Sequence, residues 1–236
     1  MVIDELIDVP LWVNVFGIVV GSMQGAMYAA GFRDRKLDLL GIAVIGIATG
    51  LGGGLLRDIM LNRMPIAFSE NYLILVAVVA AFAGMLLGRV ISAKLDWLLT
   101  TLDALSLGTF AMIGTTAAIY AGLPVVPAVF VGVITAVGGG MIRDIMLNMP
   151  ISVMHVGSLY AAAALLGAIT LEVLYNLGVN INLAGIIGAA LTFVVRLLAK
   201  RYGWSLPEQR ILRSIRHPRL VTPDDLTGPL DTVEKD

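Results

Sequence analysis

"GLGGGLLRDIM", residues 50–60, is repeated farther along as "VGGGMIRDIM", residues 137–146, and both runs lie in highly apolar parts of the chain. Three consecutive glycines inside a helix forfeit about 1 kcal/mol each relative to alanine. An Arg or Asp one turn later, facing lipid, would cost roughly 2.5–3.5 kcal/mol. A costly unit written twice calls for a physical reason, and the flanking sequence narrows the choice.

The chain has 236 residues, of which 58% are hydrophobic and 14% charged, and its mean hydropathy is +0.90. That composition, with apolar runs able to cross a ~30 Å hydrocarbon slab, describes an all-α integral membrane protein. Apolar segments fall at roughly residues 10–31, 37–62, 71–92, 97–121, 124–148, 153–176 and 181–200, which predicts seven transmembrane helices. Arg33, Arg35 and Lys36 follow the first segment, Arg89 and Lys94 the third, and Lys200, Arg201, Arg210, Arg213, Arg216 and Arg219 the last, whereas the opposite loops hold only Arg63. The positive-inside rule therefore puts the N-terminus outside and the C-terminus in the cytoplasm. Trp12, Trp97, Trp204, Tyr28, Tyr72, Tyr120, Tyr175 and Tyr202 fall near predicted span ends, as interfacial aromatics do, and only Tyr160 sits deeper. The N-terminal stretch carries acids where a signal peptide carries bases, so it reads as a retained first span. Residues 1–203 form the membrane domain and 204–236 a cytoplasmic tail. In that tail "LPEQRILRSIRHPRL" is either a solvated orientation signal or a basic amphipathic turn on anionic lipids of the inner leaflet. From Pro218 onward its prolines and acids predict disorder.

Aligning Arg57 with Arg143 pairs "GIATGLGGGLLRDIMLN" (46–62) with "GVITAVGGGMIRDIMLN" (132–148), and a one-residue gap pairs Pro65 with Pro150. Upstream, "VFGIVVGSMQGAMYAAGF" (15–32) matches "TFAMIGTTAAIYAGL" (109–123) more loosely. The repeating unit is thus three spans, about 10–92 and about 97–176, with the span at about 181–200 left over. An odd number of crossings per unit turns the second copy upside down relative to the first, the architecture that builds a pathway around a two-fold axis in the membrane plane.

Within this frame the glycine triplets Gly52, Gly53, Gly54 and Gly138, Gly139, Gly140 are expected to kink or break the second and fifth helices. Close helix packing is the other use of glycine, and Gly17, Gly21 and Gly25 on the first span fit it. Arg57, Asp58, Arg143 and Asp144 must face the protein interior or a wet cavity. Adjacent helical residues point about 100° apart, so the expected partners lie across helices: Asp103 for Arg143 and Asp8 for Arg57. Between them, Thr49, Thr135, Ser22, Thr115 and glycine carbonyls offer neutral oxygens of the kind a weakly held monovalent cation uses. The alternative for each hydroxyl is a bond back to its own helix.

Two inverted triplets plus one span, with "GGGLLRD" and "GGGMIRD" on the second and fifth, resemble the prokaryotic trimeric intracellular cation (TRIC) channels, a branch that overlaps bacterial proteins labelled putative glycine transporters. The resemblance spans residues 10–200. It implies a homotrimer with one pore per protomer, lined around the two glycine-rich helices and passing K⁺ and Na⁺, in a prokaryotic plasma membrane. The Lys-Glu-Val stretch of the animal members is absent, so their regulation is not carried over.

A second class stays open. Broken-helix N-termini beside an Arg would suit a small carboxylate, so a secondary transporter of a solute such as glycine is the alternative; no isolated intramembrane acid suggests itself for proton coupling. The chain has no Cys and two His, and no nucleophile, base or metal constellation, so neither an enzyme nor a cofactor beyond the permeant ion is expected, nor a nucleic-acid partner. The Lys/Arg asymmetry makes a direct prediction in this cysteine-free chain. A cysteine introduced near Ser69 should react with an impermeant thiol reagent in intact cells, and one near Lys36 only after permeabilisation; the opposite pattern would invert the topology.

Overall fold

A computed structural model describes residues 10–32, 37–90, 95–154 and 159–205, and within them every regular element is helical. The predictions for Asp8, Lys36 and the tail beyond Ser205 lie outside the described residues. The elements are α1 (Leu11–Gly31), α2 (Leu39–Met60), the single turn α3 (Ile66–Ser69), α4 (Asn71–Val90), α5 (Leu95–Tyr120), α6 (Val125–Met146), a 3₁₀ turn (Ser152–Met154), α7 (Tyr160–Asn176) and α8 (Ile181–Tyr202). Six of these, α1, α2, α4, α5, α6 and α8, are long and apolar enough to cross a membrane, while α7 is apolar but has 17 residues. The span expected at 153–176 is therefore shorter, because the chain after α6 folds back into the 3₁₀ turn instead of entering a helix at once.

The repeated "RDIMLN" explains how α2 and α6 end. Asn62 and Asn148 adopt the left-handed conformation, with φ of 52° and 53°, which asparagine tolerates better than most residues. Arg63 N–H then donates to Asp58 C=O at 3.0 Å and Asn62 N–H to Ile59 C=O at 3.0 Å; Met149 and Asn148 repeat the bonds to Asp144 and Ile145 at 2.8 and 2.9 Å. This is the Schellman arrangement, which satisfies carbonyls otherwise orphaned at a helix end. It turns the chain back so that Pro65 and Pro150 follow at once.

The glycine triplets do not break their helices. α2 and α6 are continuous through residues 52–54 and 138–140, and the glycines form a seam between them instead. A Cβ on Gly53 would run into the Thr135 carbonyl, and one on Gly139 into the Thr49 carbonyl. This reciprocity, residue i on j and the equivalent of j on i, is what a local two-fold axis produces. Gly25 and Gly114 likewise abut Thr49 and Thr135. Without lipid-excluding hydrophobic drive between helices, such close backbone approach is what holds a membrane bundle together.

Around that seam α1 packs on α2, α4 and α5, while α6 packs on α2, α5 and α7, and α8 on α5 and α7. Buried alanines, among them Ala26, Ala77, Ala104, Ala118, Ala128 and Ala163, fill the interfaces. Gly139→Val should force α2 and α6 apart and lower stability in detergent by roughly 1–3 kcal/mol or more. Gly54→Ala, whose Cβ would meet only Arg57 Nη2 at 3.8 Å, should leave the thermal unfolding midpoint unchanged or raise it. Equal effects of the two changes would show that the seam is not a packing constraint.

Candidate functional site

Each copy of the repeat ends in a buried ion pair between neighbours in sequence. Arg57 donates from Nε to Asp58 Oδ1 at 2.8 Å and from Nη2 to Oδ2 at 3.0 Å. Arg143 donates from Nε and Nη2 to Asp144 Oδ1 at 2.9 and 2.7 Å. All four residues are at most 3% exposed. The expectation that adjacent residues are not each other's best partners is therefore wrong. The helix ends just beyond, and the long arginine side chain curls around to its neighbour, so neutralisation is local and each charge-assisted fork is shielded from lipid.

The second oxygen of each aspartate holds the returning chain. Asp58 Oδ2 accepts from Ile66 N–H at 3.0 Å, and Arg63 Nε adds a bond to Oδ1 at 2.8 Å. Asp144 Oδ2 accepts from Ser152 N–H at 2.8 Å and from its Oγ at 2.7 Å. Ion pair, Schellman turn and fold-back thus form one unit, present twice.

At the Arg143 end this unit faces a second polar cluster. Asp103 accepts from Arg196 Nε and Nη2 at 3.3 and 3.2 Å and from the Tyr160 hydroxyl at 3.2 Å. The Arg196 guanidinium lies 4.7 Å over the Tyr160 ring. Arg143 reaches across to Gln24 Oε1 on α1 at 3.2 Å and lies 4.4 Å over the Tyr28 ring, both favourable placements for a cation. These groups, with Asp96, Thr100 and Lys200, surround a cavity of about 190 Å³. Asp103 and Arg143 share this cavity, as expected from depth, but the partner of Asp103 is Arg196. The span α8 contributes a nearer cation than α6 does.

The Arg57 end differs. Its cavity is about 20 Å³, and Ile18, Leu51, Leu73 and Phe110 lie beside Asn14, Arg57 and Asp58 in its wall. Of the expected oxygen ligands, Thr49 donates to Ile45 C=O at 2.6 Å, Thr115 to Ala111 C=O at 2.9 Å and Thr135 to Val131 C=O at 2.6 Å. Each hydroxyl thus bonds its own helix, the plainer of the two readings. Ser22 Oγ is buried against Gly50, with no hydrogen-bond partner among the described residues. The hydroxyls sit in two seams, α1–α2 and α5–α6, which the α2–α6 crossing joins.

Four residues escaped the sequence reading. Arg196 is the one charge between Glu172 and Lys200, and an intramembrane cation requires a partner; that was a usable signal. Tyr160 stood out only as an aromatic away from an interface, and Gln24 as a polar residue in the first span. Glu172, 3% exposed and accepting from Asn176 Nδ2 at 3.1 Å, is a buried acid on an apolar helix, which the sequence reading did not single out.

The family model described as "Glycine transporter" matches residues 11–89 and 100–176, segments that coincide with the two copies of the repeat. The UPF0126 inner membrane protein YadS of Escherichia coli K12 is 32% identical over 198 residues, 83% of this chain and 94% of that protein. A UPF0126 membrane protein of Deinococcus radiodurans is 34% identical over 204 residues, 85% of this chain and 92% of its own. Among solved structures, a TRIC cation channel superposes with a TM-score of 0.73 at 30% identity, covering 89% of this chain and 98% of the channel. The TRIC orthologue from Rhodobacter sphaeroides gives 0.75 at 29% identity, with 82% and 98% covered.

A double-mutant cycle on thermal unfolding separates the two possible partners of Asp103. Asp103→Asn with Arg196→Gln should show a coupling of about 0.6 kcal/mol, up to about 1.7, the range of polar pairs between membrane helices. The same cycle with Arg143→Gln should give less. A larger coupling to Arg143 would restore the pairing expected from depth alone.

Proposed function

The chain belongs to the glycine transporter family of bacterial UPF0126 membrane proteins, and from that premise we propose that it is a cation channel of the inner membrane. The observation that carries the reading is the likeness to two solved TRIC cation channels at about 30% identity over more than four-fifths of the chain. The protein works as a homotrimer, as the trimeric Rhodobacter relative does, with one pathway per protomer between α2 and α6. Seven helices cross the membrane. The crossing added to the six longer helices is α7, whose 17 residues rise about 25 Å and require slight local thinning of the bilayer. The two three-helix units are inverted, with the N-terminus outside, and the reciprocal Gly53–Thr135 and Gly139–Thr49 contacts mark their axis.

Several features favour conduction of K⁺ and Na⁺. Arg57 and Arg143 are neutralised by their aspartates, so neither leaves a fixed positive charge facing the crossing. The Thr49 and Thr135 carbonyl oxygens lie at the seam beside Gly139 and Gly53, and carbonyl oxygens are weak, neutral cation ligands. Passage requires the seam to open, and the residues at which α2 and α6 can bend with least resistance are Gly52 to Gly54 and Gly138 to Gly140. No cofactor takes part beyond the permeant ion.

One observation favours the second reading, a proton-coupled transporter of a small solute such as glycine: Glu172 is a buried acid hydrogen-bonded by a neutral amide. Purified protein in a planar bilayer under a K⁺ gradient decides between the two. A channel gives discrete unitary steps reversing near the K⁺ equilibrium potential, with Na⁺ permeant and Cl⁻ largely excluded. Silent bilayers, together with saturable uphill accumulation of glycine in proteoliposomes, would overturn the channel and install the transporter.

A further inference from the structure

The two ends of the proposed pathway are built on one plan and finished in opposite chemistries. Arg57 matches Arg143 and Asp58 matches Asp144, and the backbone N–H caught by the aspartate is that of Ile66 at one end and Ser152 at the other. Gly54 matches Gly140, yet the neighbours differ. A Cβ on Gly140 would sit 3.1 Å from the Tyr160 hydroxyl, whereas one on Gly54 meets only Arg57 Nη2 at 3.8 Å. At the Arg57 end the helix that follows the fold-back offers Leu73, 1% exposed. At the Arg143 end it offers Tyr160.

Volumes follow the chemistry. A single water needs roughly 10–15 Å³ of cavity, so the 20 Å³ at the Arg57 end admits about one, beside Ile18, Leu51, Leu73 and Phe110. The 190 Å³ at the Arg143 end admits a hydrated cluster among charged side chains. The mechanical restraints differ as well. Arg143 is tied across to Gln24 of α1, while among the described residues the hydrogen bonds of the Arg57 and Asp58 side chains fall within residues 57–66. The α6 end is therefore cross-linked to its neighbour by a polar bond, and the α2 end is held to α1, α4 and α5 by apolar contact.

We infer that the Arg57 end is the shut gate of the pathway, an apolar constriction closed by dewetting with Leu73 as its plug, while the Arg143 end is a standing hydrated vestibule. The space there admits about one water, too little to carry a hydrated ion, and the aliphatic and aromatic side chains of its wall supply no ligand in exchange for the hydration shell. Opening displaces the end of α2 from Leu73 and Phe110, a motion that among the described residues breaks no cross-helix hydrogen bond of Arg57 or Asp58. This assignment rests on the channel reading.

Full-length protein in planar bilayers tests it with two substitutions of opposite sense. Leu73→Ser wets the constriction and should raise open probability several-fold with an unchanged reversal potential; Leu73→Phe keeps it dry and should open no more often than the wild type. Steps from Leu73→Ser in a protein whose wild type is silent would support the gate most strongly. If the wild type conducts and Leu73→Ser opens no more often, the gate is wrong and the channel stands. Silence of the wild type and of both variants, each eluting as a monodisperse oligomer, removes the channel and the gate with it. Should Leu73→Ser aggregate, Leu73→Tyr, which copies the residue at the other end, replaces it with the same expected rise and the same refuting result.

Discussion

Everything in this molecule hangs on how a buried arginine is neutralised at a helix end. The answer is the nearest aspartate, next in sequence, which accepts two bonds from the guanidinium and, through Oδ2, one from the backbone that returns after the Schellman turn. A charge in a low-dielectric interior must be paired and hydrogen-bonded. Here the pairing also fixes where α2 and α6 stop and how the chain reverses. The arginine, the aspartate, the asparagine and the proline of each motif form one mechanical part.

With the charges settled locally, the crossing of α2 and α6 is free to be apolar and tight. The glycines make it so by letting each helix seat on a threonine carbonyl of the other. The same reciprocal contacts express the duplication of the sequence in three dimensions. Duplication supplies two equivalent ends, and divergence around a shared frame then makes one end polar through Asp103, Tyr160 and Arg196 and the other apolar through Ile18, Leu73 and Phe110. Unlike surroundings at the two ends follow from substitutions that leave the motif itself untouched.

The class of protein and the positions of the long apolar helices were legible in the sequence because hydropathy is a local property. Five of the seven expected spans correspond closely to α1, α2, α4, α5 and α6, and α8 to the last. The sixth was overextended because a 3₁₀ turn and a helix start read alike in an apolar run. The pairing of Arg57 with Asp58 was misjudged since helical geometry was extended through a residue at the helix end, where the side chain is free to curl. Asp103 was placed at the correct depth but given the wrong cation, because depth along a helix does not reveal which of two neighbouring helices turns its charge inward. The glycines suggested a kink or break, and the helices run unbroken through them, since a glycine triplet weakens a lone helix and strengthens a packed pair by the same loss of Cβ.

The central claim is that ions cross each protomer at the junction of α2 and α6. Silver ion, close to K⁺ in size and reactive toward thiols, tests it in this cysteine-free chain. In planar bilayers, current through Ile142→Cys, whose side chain lies against Gly52 of α2, should be blocked irreversibly by Ag⁺, while current through Val79→Cys, on an exposed face at 66%, should be unaffected. Ile142→Cys current that persists in Ag⁺ would contradict the account and move the pathway away from the α2–α6 seam.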